Sequence, residues 1–153
     1  MSKIIKYPNE VLTRKAANLD KGDILSSDIQ TLIEEMKDGC YHTGGVGLAA
    51  CQLGSEANIC VYLIEPDTFQ YGVIINPVII AKSDRVTSYS EGCLSLPNRR
   101  FNVKRFKRIT VKGLDEHGNS ITVRPKTKML AIILQHEIDH LNGTLIIDKG
   151  KEV

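Results

Sequence analysis

The 153-residue sequence predicts an α+β fold in which small antiparallel β-sheets pack around a buried central helix. Three features carry that expectation. Runs of β-branched residues fill the middle of the chain, a turn of hairpin composition joins the last two of them, and the final helical segment is apolar on every side. The length suffices for one domain with a full core and falls short of two ordinary ones, so residues 1–153 are expected to form a single domain. Hydrophobic residues make up 42% and charged residues 25%, and no apolar run is long enough to cross a bilayer, so no membrane partner is expected. The opening Met1–Pro8 has no apolar signal region, which suggests a cytoplasmic, reducing setting in which the four cysteines need a reading other than disulfides. A net charge of +2 gives no reason to expect DNA as a partner.

In chain order, Tyr7–Leu12 opens with turn chemistry and turns polar through Gly22, an arm expected to lie over the surface without chemistry of its own. Leu25, Ile29, Leu32, Ile33 and Met36 recur at helical spacing; Ser27 and Gln30 form a capping-box pair, and Gly39 suits the residue after the helix. Cys40, Tyr41 and His42 then fall in a loop. The small-residue run Gly44–Gly54 reads as a glycine-rich turn entering a buried strand, or as a backbone wall of a binding site beside the amide of Gln52. Ile59–Ile64 and Tyr71–Ile75 read as strands, stopped by Glu65-Pro66 and Asn76-Pro77, and Val78–Ile80 and Val86–Tyr89 as further short ones. Ile109–Leu114 and Ile121–Arg124 flank the turn Asp115–Asn119, where His117 is surface. The basic segment Arg99–Arg108 reads as a solvated strand and loop.

The last helix is expected from Thr127 to Leu141, after Pro125 and before the terminator Gly143. Met129, Ile132, Ile133, His136 and His140 share one side; Leu130, Leu134, Ile138 and Leu141 share the other. A helix apolar all round is buried, and its polar residues then need partners, because an unsatisfied buried polar group costs several kcal/mol. Gln135-His136-Glu137-Ile138-Asp139-His140 supplies an answer. Residues four apart lie on one helical face, so His136 and His140 can meet one metal ion with Glu137 beside it. A catalytic site of this kind wants a third protein ligand. Among the cysteines only Cys93, between Glu91-Gly92 and Leu94-Ser95, has the setting of a ligand loop, although any single cysteine read alone is more readily a packing thiol.

Taken together, Gly45-Val46-Gly47-Leu48-Ala49-Ala50-Cys51-Gln52, Glu91-Gly92-Cys93-Leu94-Ser95 and Gln135–His140 resemble the three motifs of the peptide deformylases, in family order. The resemblance runs from Tyr7-Pro8 to about Ile147. It implies that Cys93, His136 and His140 hold one divalent metal, natively Fe(2+), with Zn(2+), Ni(2+) or Co(2+) as ions that purified protein can carry. It implies Glu137 as general base and acid, and Gln52 and the backbone of Leu94 as oxyanion donors. Val46, Gly47, Tyr89, Glu91, Arg100, Met129, Ile132 and Ile133 are the expected substrate contacts, and Arg105 the partner of Glu91 and Asp139. The implied substrate is the N-formyl-methionyl end of a new polypeptide, with formate as product, and the protein is expected to be a monomer. Cys51 and Gly44 depart from the commoner family pattern. Many members continue into a C-terminal helix implicated in ribosome binding; the ten residues after Gly143 leave no room for one, so contact with the ribosome at the exit tunnel is not expected by that route. A metallopeptidase is a rival reading, but the 13 residues after His140 hold no further histidine as a ligand. A structural zinc site would leave Glu137 idle, and a deacylase for another N-acyl group is the serious alternative.

Overall fold

The computed structural model describes residues 3–87 and 90–153. Two helices and a five-stranded antiparallel sheet form its frame. Helix α1 (Lys21–Ile24) is a single turn that leads into α2 (Ser27–Thr43). Strands β1 (Gly47–Ala49), β2 (Ile59–Glu65) and β3 (Gln70–Lys82) follow, and β8 (Ile109–Leu114) and β9 (Ser120–Val123) complete the sheet in the order β1-β2-β3-β8-β9. Between them, β4 (Arg85–Thr87) pairs with β7 (Lys104–Phe106), and β5 (Glu91–Cys93) pairs with β6 (Leu96–Asn102). The chain ends with α3 (Lys128–Leu141), the one-turn α4 (Ile146–Lys149) and β10 (Lys151–Glu152), which adds to β6.

The apolar run of β2 lacks alternation because the sheet is covered on both faces. Cys60 and Tyr62 of β2 and Ile74 of β3 pack in a cluster with Ala131, Leu134, Ile138 and Leu141 of α3. Ile59, Val61, Val73 and Ile75 point the other way and pack with Ile33, Met36 and Cys40 of α2. Successive strand residues alternate between faces, so a strand between two helices must be apolar at every position.

Several boundaries differ from expectation, each for a local reason. The cap of α2 is Ser26, whose Oγ accepts from Ile29 N–H at 3.3 Å, while Gln30 donates to the carbonyls of Ile24 and Glu116 instead of forming a capping box. Gly39 lies inside α2, and the helix runs on to Gly44, which closes it in the left-handed region at φ 68°. Cys40, Tyr41 and His42 are therefore helical, with Cys40 extending the apolar stripe of Ile33 and Met36. Asn76-Pro77 does not stop β3. Asn76 takes φ 53° and the register breaks between Ile75 and Val78, a bulge that removes the need for a donor at Pro77; the Asn76 side chain bonds both N–H and C=O of Leu19. The basic segment is not simply solvated either, because Phe101, Val103 and Arg105 alternate inward and are buried. Of the strand expected at Val86–Tyr89, residues 88 and 89 lie outside the described residues.

The candidate metal centre and active site

Helix α3 begins at the cap Thr127, whose side chain accepts from Leu130 N–H at 3.1 Å. Its last turns carry His136, Glu137 and His140 against β1 and β2. Cys93 arrives from β5, and its Sγ lies 3.3 Å from Nε2 of His140. The ligand atoms of Cys93, His136 and His140 all lie within 4.8 Å of one another, an arrangement that suits one cation. One sulfur and two imidazole nitrogens are a set taken by zinc, iron, cobalt and nickel alike, so the donors fit a divalent transition metal without choosing it.

The groups behind the ligands are ordered. Nδ1 of His136 meets Glu91 Oε1 at 3.0 Å, which leaves Nε2 to face Cys93 and His140. Burial would lower the His136 pKa, but hydrogen bonds to Cys93 and Glu91 outweigh it and raise it to about 10. Cation binding at Nε2 must displace that proton, so affinity rises with pH. Glu91 is held in turn by Arg105, whose Nε and Nη2 reach its two oxygens at 2.9 and 2.8 Å. Burial raises the Glu91 pKa, yet Arg105 and His136 overcome this and hold it at about 2. Arg105 Nη1 also donates to Asp139, which Lys149 reaches from outside at 3.0 Å.

Glu137 is different: it is buried, and its Oε2 has no hydrogen-bond partner among the described residues. Desolvation raises its pKa to about 7. Gly47 makes its position possible, since a Cβ there would lie 2.7 Å from Glu137 Oε1 and 3.0 Å from Ile133 Cγ2. Gly47→Ala is accordingly expected to push Glu137 and Ile133 aside and to lower stability by about 1–3 kcal/mol, which denaturant unfolding of the purified variant checks.

Gln52 is buried on the other side of Cys93. Its Oε1 accepts from Ala49 N–H at 3.0 Å, and its Nε2 donates to Ser95 Oγ at 3.2 Å and approaches Cys93 Sγ at 3.7 Å. The residues just before the arm fasten this corner: Ile5 N–H donates to Gln52 O at 2.7 Å, Ser95 Oγ donates to Ile5 O at 2.7 Å, and Lys6 Nζ donates to Leu94 O at 3.0 Å. Ser95 was legible only as part of a motif, and nothing in the composition around Ile5 and Lys6 announces these contacts.

The expected substrate residues divide. Gly47 and Ile133 are buried against Glu137; Val46 and Met129 are exposed and Ile132 is half-buried. Arg100 is exposed beside Gly92 and donates to Ser90. Glu91, expected both to touch substrate and to pair with Arg105, does the second: its carboxylate lies on Arg105 and His136 behind the Cys-His-His cluster, since a buried carboxylate needs that cation. Tyr89 lies outside the described residues.

A mixed α/β fold of antiparallel sheets carrying a Cys-His-His cluster and a buried carboxylate with one oxygen unpartnered among the described residues defines a metal-binding hydrolase of the His-Glu-x-x-His kind. Comparison with known proteins narrows the class. The model of the polypeptide deformylase family matches residues 1–153, and the chain belongs to that family. It is 43% identical over 148 residues to a peptide deformylase of Thermodesulfovibrio yellowstonii, covering 95% of this chain and 87% of that one. It is 39% identical over 155 residues to that of Desulfosudis oleivorans, covering 98% and 86%. Among solved structures, a peptide deformylase from Legionella pneumophila superposes with a TM-score of 0.90 at 38% identity, covering 97% of this chain and 85% of that one. The Thermotoga maritima enzyme gives 0.88 at 33% identity, covering 99% and 98%.

Proposed function

We propose that this protein is a peptide deformylase, hydrolysing the formyl group from the N-terminal formyl-methionine of new polypeptides to give formate and a free amine. The observation that carries the mechanism is the pairing of a three-ligand cluster with Glu137, a buried carboxylate that has an oxygen without a partner. Cys93, His136 and His140 would hold one divalent metal, natively Fe(2+) on the family resemblance. A bound cation supplies Lewis acidity, lowering the pKa of water and polarising the formyl oxygen.

The chain's own groups do the rest. Glu137, with a pKa of about 7, accepts a proton from the attacking water and returns it to the leaving nitrogen, which cannot depart as an amide anion. Gln52 Nε2 and the Leu94 N–H donate to the developing oxyanion, with Ser95 and Ile5 holding Gln52 in place. Val46, Gly47, Arg100, Met129, Ile132 and Ile133 contribute to the substrate cleft, and Tyr89 is retained as a contact on the resemblance. Helix α3 is the central element of one catalytic domain spanning residues 1–153, acting as a cytoplasmic monomer.

Formate release from formyl-Met-Ala-Ser against acetyl-Met-Ala-Ser, on protein loaded with iron or nickel without oxygen, tests the reading. Formyl-selective turnover is expected, lost on chelation and restored by metal. Equal cleavage of both peptides would move the assignment to a broader deacylase.

A further inference from the structure

The wall Gly45–Gly47 is held from behind by two residues that no motif contains. Cys40 grips Gly45 twice: its carbonyl accepts from Gly45 N–H at 2.9 Å, and its thiol donates to the Gly45 carbonyl at 3.2 Å. The hydroxyl of Tyr71, reaching over from β3, donates to the same carbonyl at 3.4 Å. Burial raises both the Cys40 thiol and the Tyr71 phenol to about 12, so each remains a donor throughout the neutral range.

A peptide unit is planar, so fixing the Gly45 carbonyl against Cys40 and Tyr71 turns the Val46 N–H to the opposite side. The carbonyl of Val46 is fixed as well, by Leu63 N–H at 2.8 Å. Both peptide planes around the half-exposed Val46 are therefore set, one residue before Gly47 meets Glu137. Gly45 also lies close to Leu94, whose Cδ1 would be 3.2 Å from a Cβ at that position. The wall thus runs from the Leu94 side chain at one end to Glu137 at the other.

We propose that Cys40 and Tyr71 are positioning residues for the peptide substrate, acting through the Gly45–Val46 peptide unit; this rests on the deformylase reading, in which that unit borders the cleft. They touch neither the ligands nor Glu137 through any hydrogen bond found among the described residues, so their loss should weaken substrate binding and spare the chemical step.

The test compares Cys40→Ala, Cys40→Ser, Tyr71→Phe and the Cys40→Ala/Tyr71→Phe pair in metal-loaded enzyme. KM and kcat are read for formyl-Met-Ala-Ser, and Kd is read by calorimetry in a Glu137→Gln background, where the peptide binds without turnover. The pair is expected to raise KM and Kd by about tenfold, with kcat within about twofold of wild type, and Cys40→Ser to recover most of the loss because it retains a donor. Unchanged KM and Kd in the pair, or a fall in kcat at constant KM, overturns the proposal. Should Cys40→Ala not fold, Tyr71→Phe keeps its ring and carries the test alone, with an expected rise of about threefold in Kd. A wild type that binds the peptide without releasing formate overturns the deformylase reading, while the Kd comparison still judges the clamp. A wild type that does not bind it overturns both.

Discussion

Glu137→Ala is expected to lower kcat by about 10²- to 10⁴-fold, the range a positioned general acid–base group supplies, while leaving metal content intact and the protein no less stable. The two halves of that expectation have one cause. Glu137 is 4% exposed, and its Oε2 has no partner among the described residues. At neutral pH a buried carboxylate in that state costs folding free energy, and burial has already pushed its pKa to about 7. Truncation removes that cost along with the base, so activity and melting temperature should move in opposite directions or melting should stay level. Of the three proposed ligands, His136 takes its orientation from Glu91 and not from Glu137. Formate release, metal analysis and thermal melting on one preparation check all three. Retained turnover would place the base elsewhere, and loss of metal would mean that Glu137 supports the ligands after all.

What could be read from the sequence followed the range over which a signal acts. The spacing of His136 and His140 is a helical fact, and the run Ile59–Ile64 declares a strand, because both depend on neighbours within a few residues. The third ligand was different. Cys93 is distant in the chain from the helix; its loop setting marked it out among the cysteines but still permitted a packing thiol, and the resemblance was needed to imply a ligand. The β5–β7 region is obscured by its charge: by residue type Arg105 looks like any solvated arginine, and it was the family resemblance that named it the partner of Glu91 and Asp139, which enclose it. The end of α2 was misplaced because Gly39 and Gly44 both suit a terminator, and the decision falls to Cys40, which the core needs on the helical stripe. The contacts of Ile5 and Lys6 were invisible for a similar reason: Ile5 acts through main-chain groups that carry no composition, and the Lys6 ammonium finds a carbonyl 88 residues away in the chain.

Arg105→Met is the substitution expected to do most damage outside the reacting groups. Arg105 is 2% exposed and is shared by two acids, with a bidentate grip on Glu91 and a single bond to Asp139. Removing one member of a buried ion pair leaves the other charge uncompensated, which costs about 3–5 kcal/mol. Lys149 can still reach Asp139 from the surface, so the penalty should fall chiefly on Glu91. That carboxylate would then take up a proton or turn away, and in either case His136 loses the acceptor that orients its ring. Loss of such a partner lowers metal affinity by about 10–100-fold, so the variant should be destabilised and also gain less stability from added metal than wild type. Arg105→Lys should fall between, because it keeps the charge and gives up the planar two-bond grip. Denaturant unfolding with and without nickel separates the two effects. Wild-type stability together with wild-type metal retention in Arg105→Met would show that Glu91 and His136 hold their geometry unaided, and the chain of contacts from Asp139 to the metal ligands would then have no functional weight.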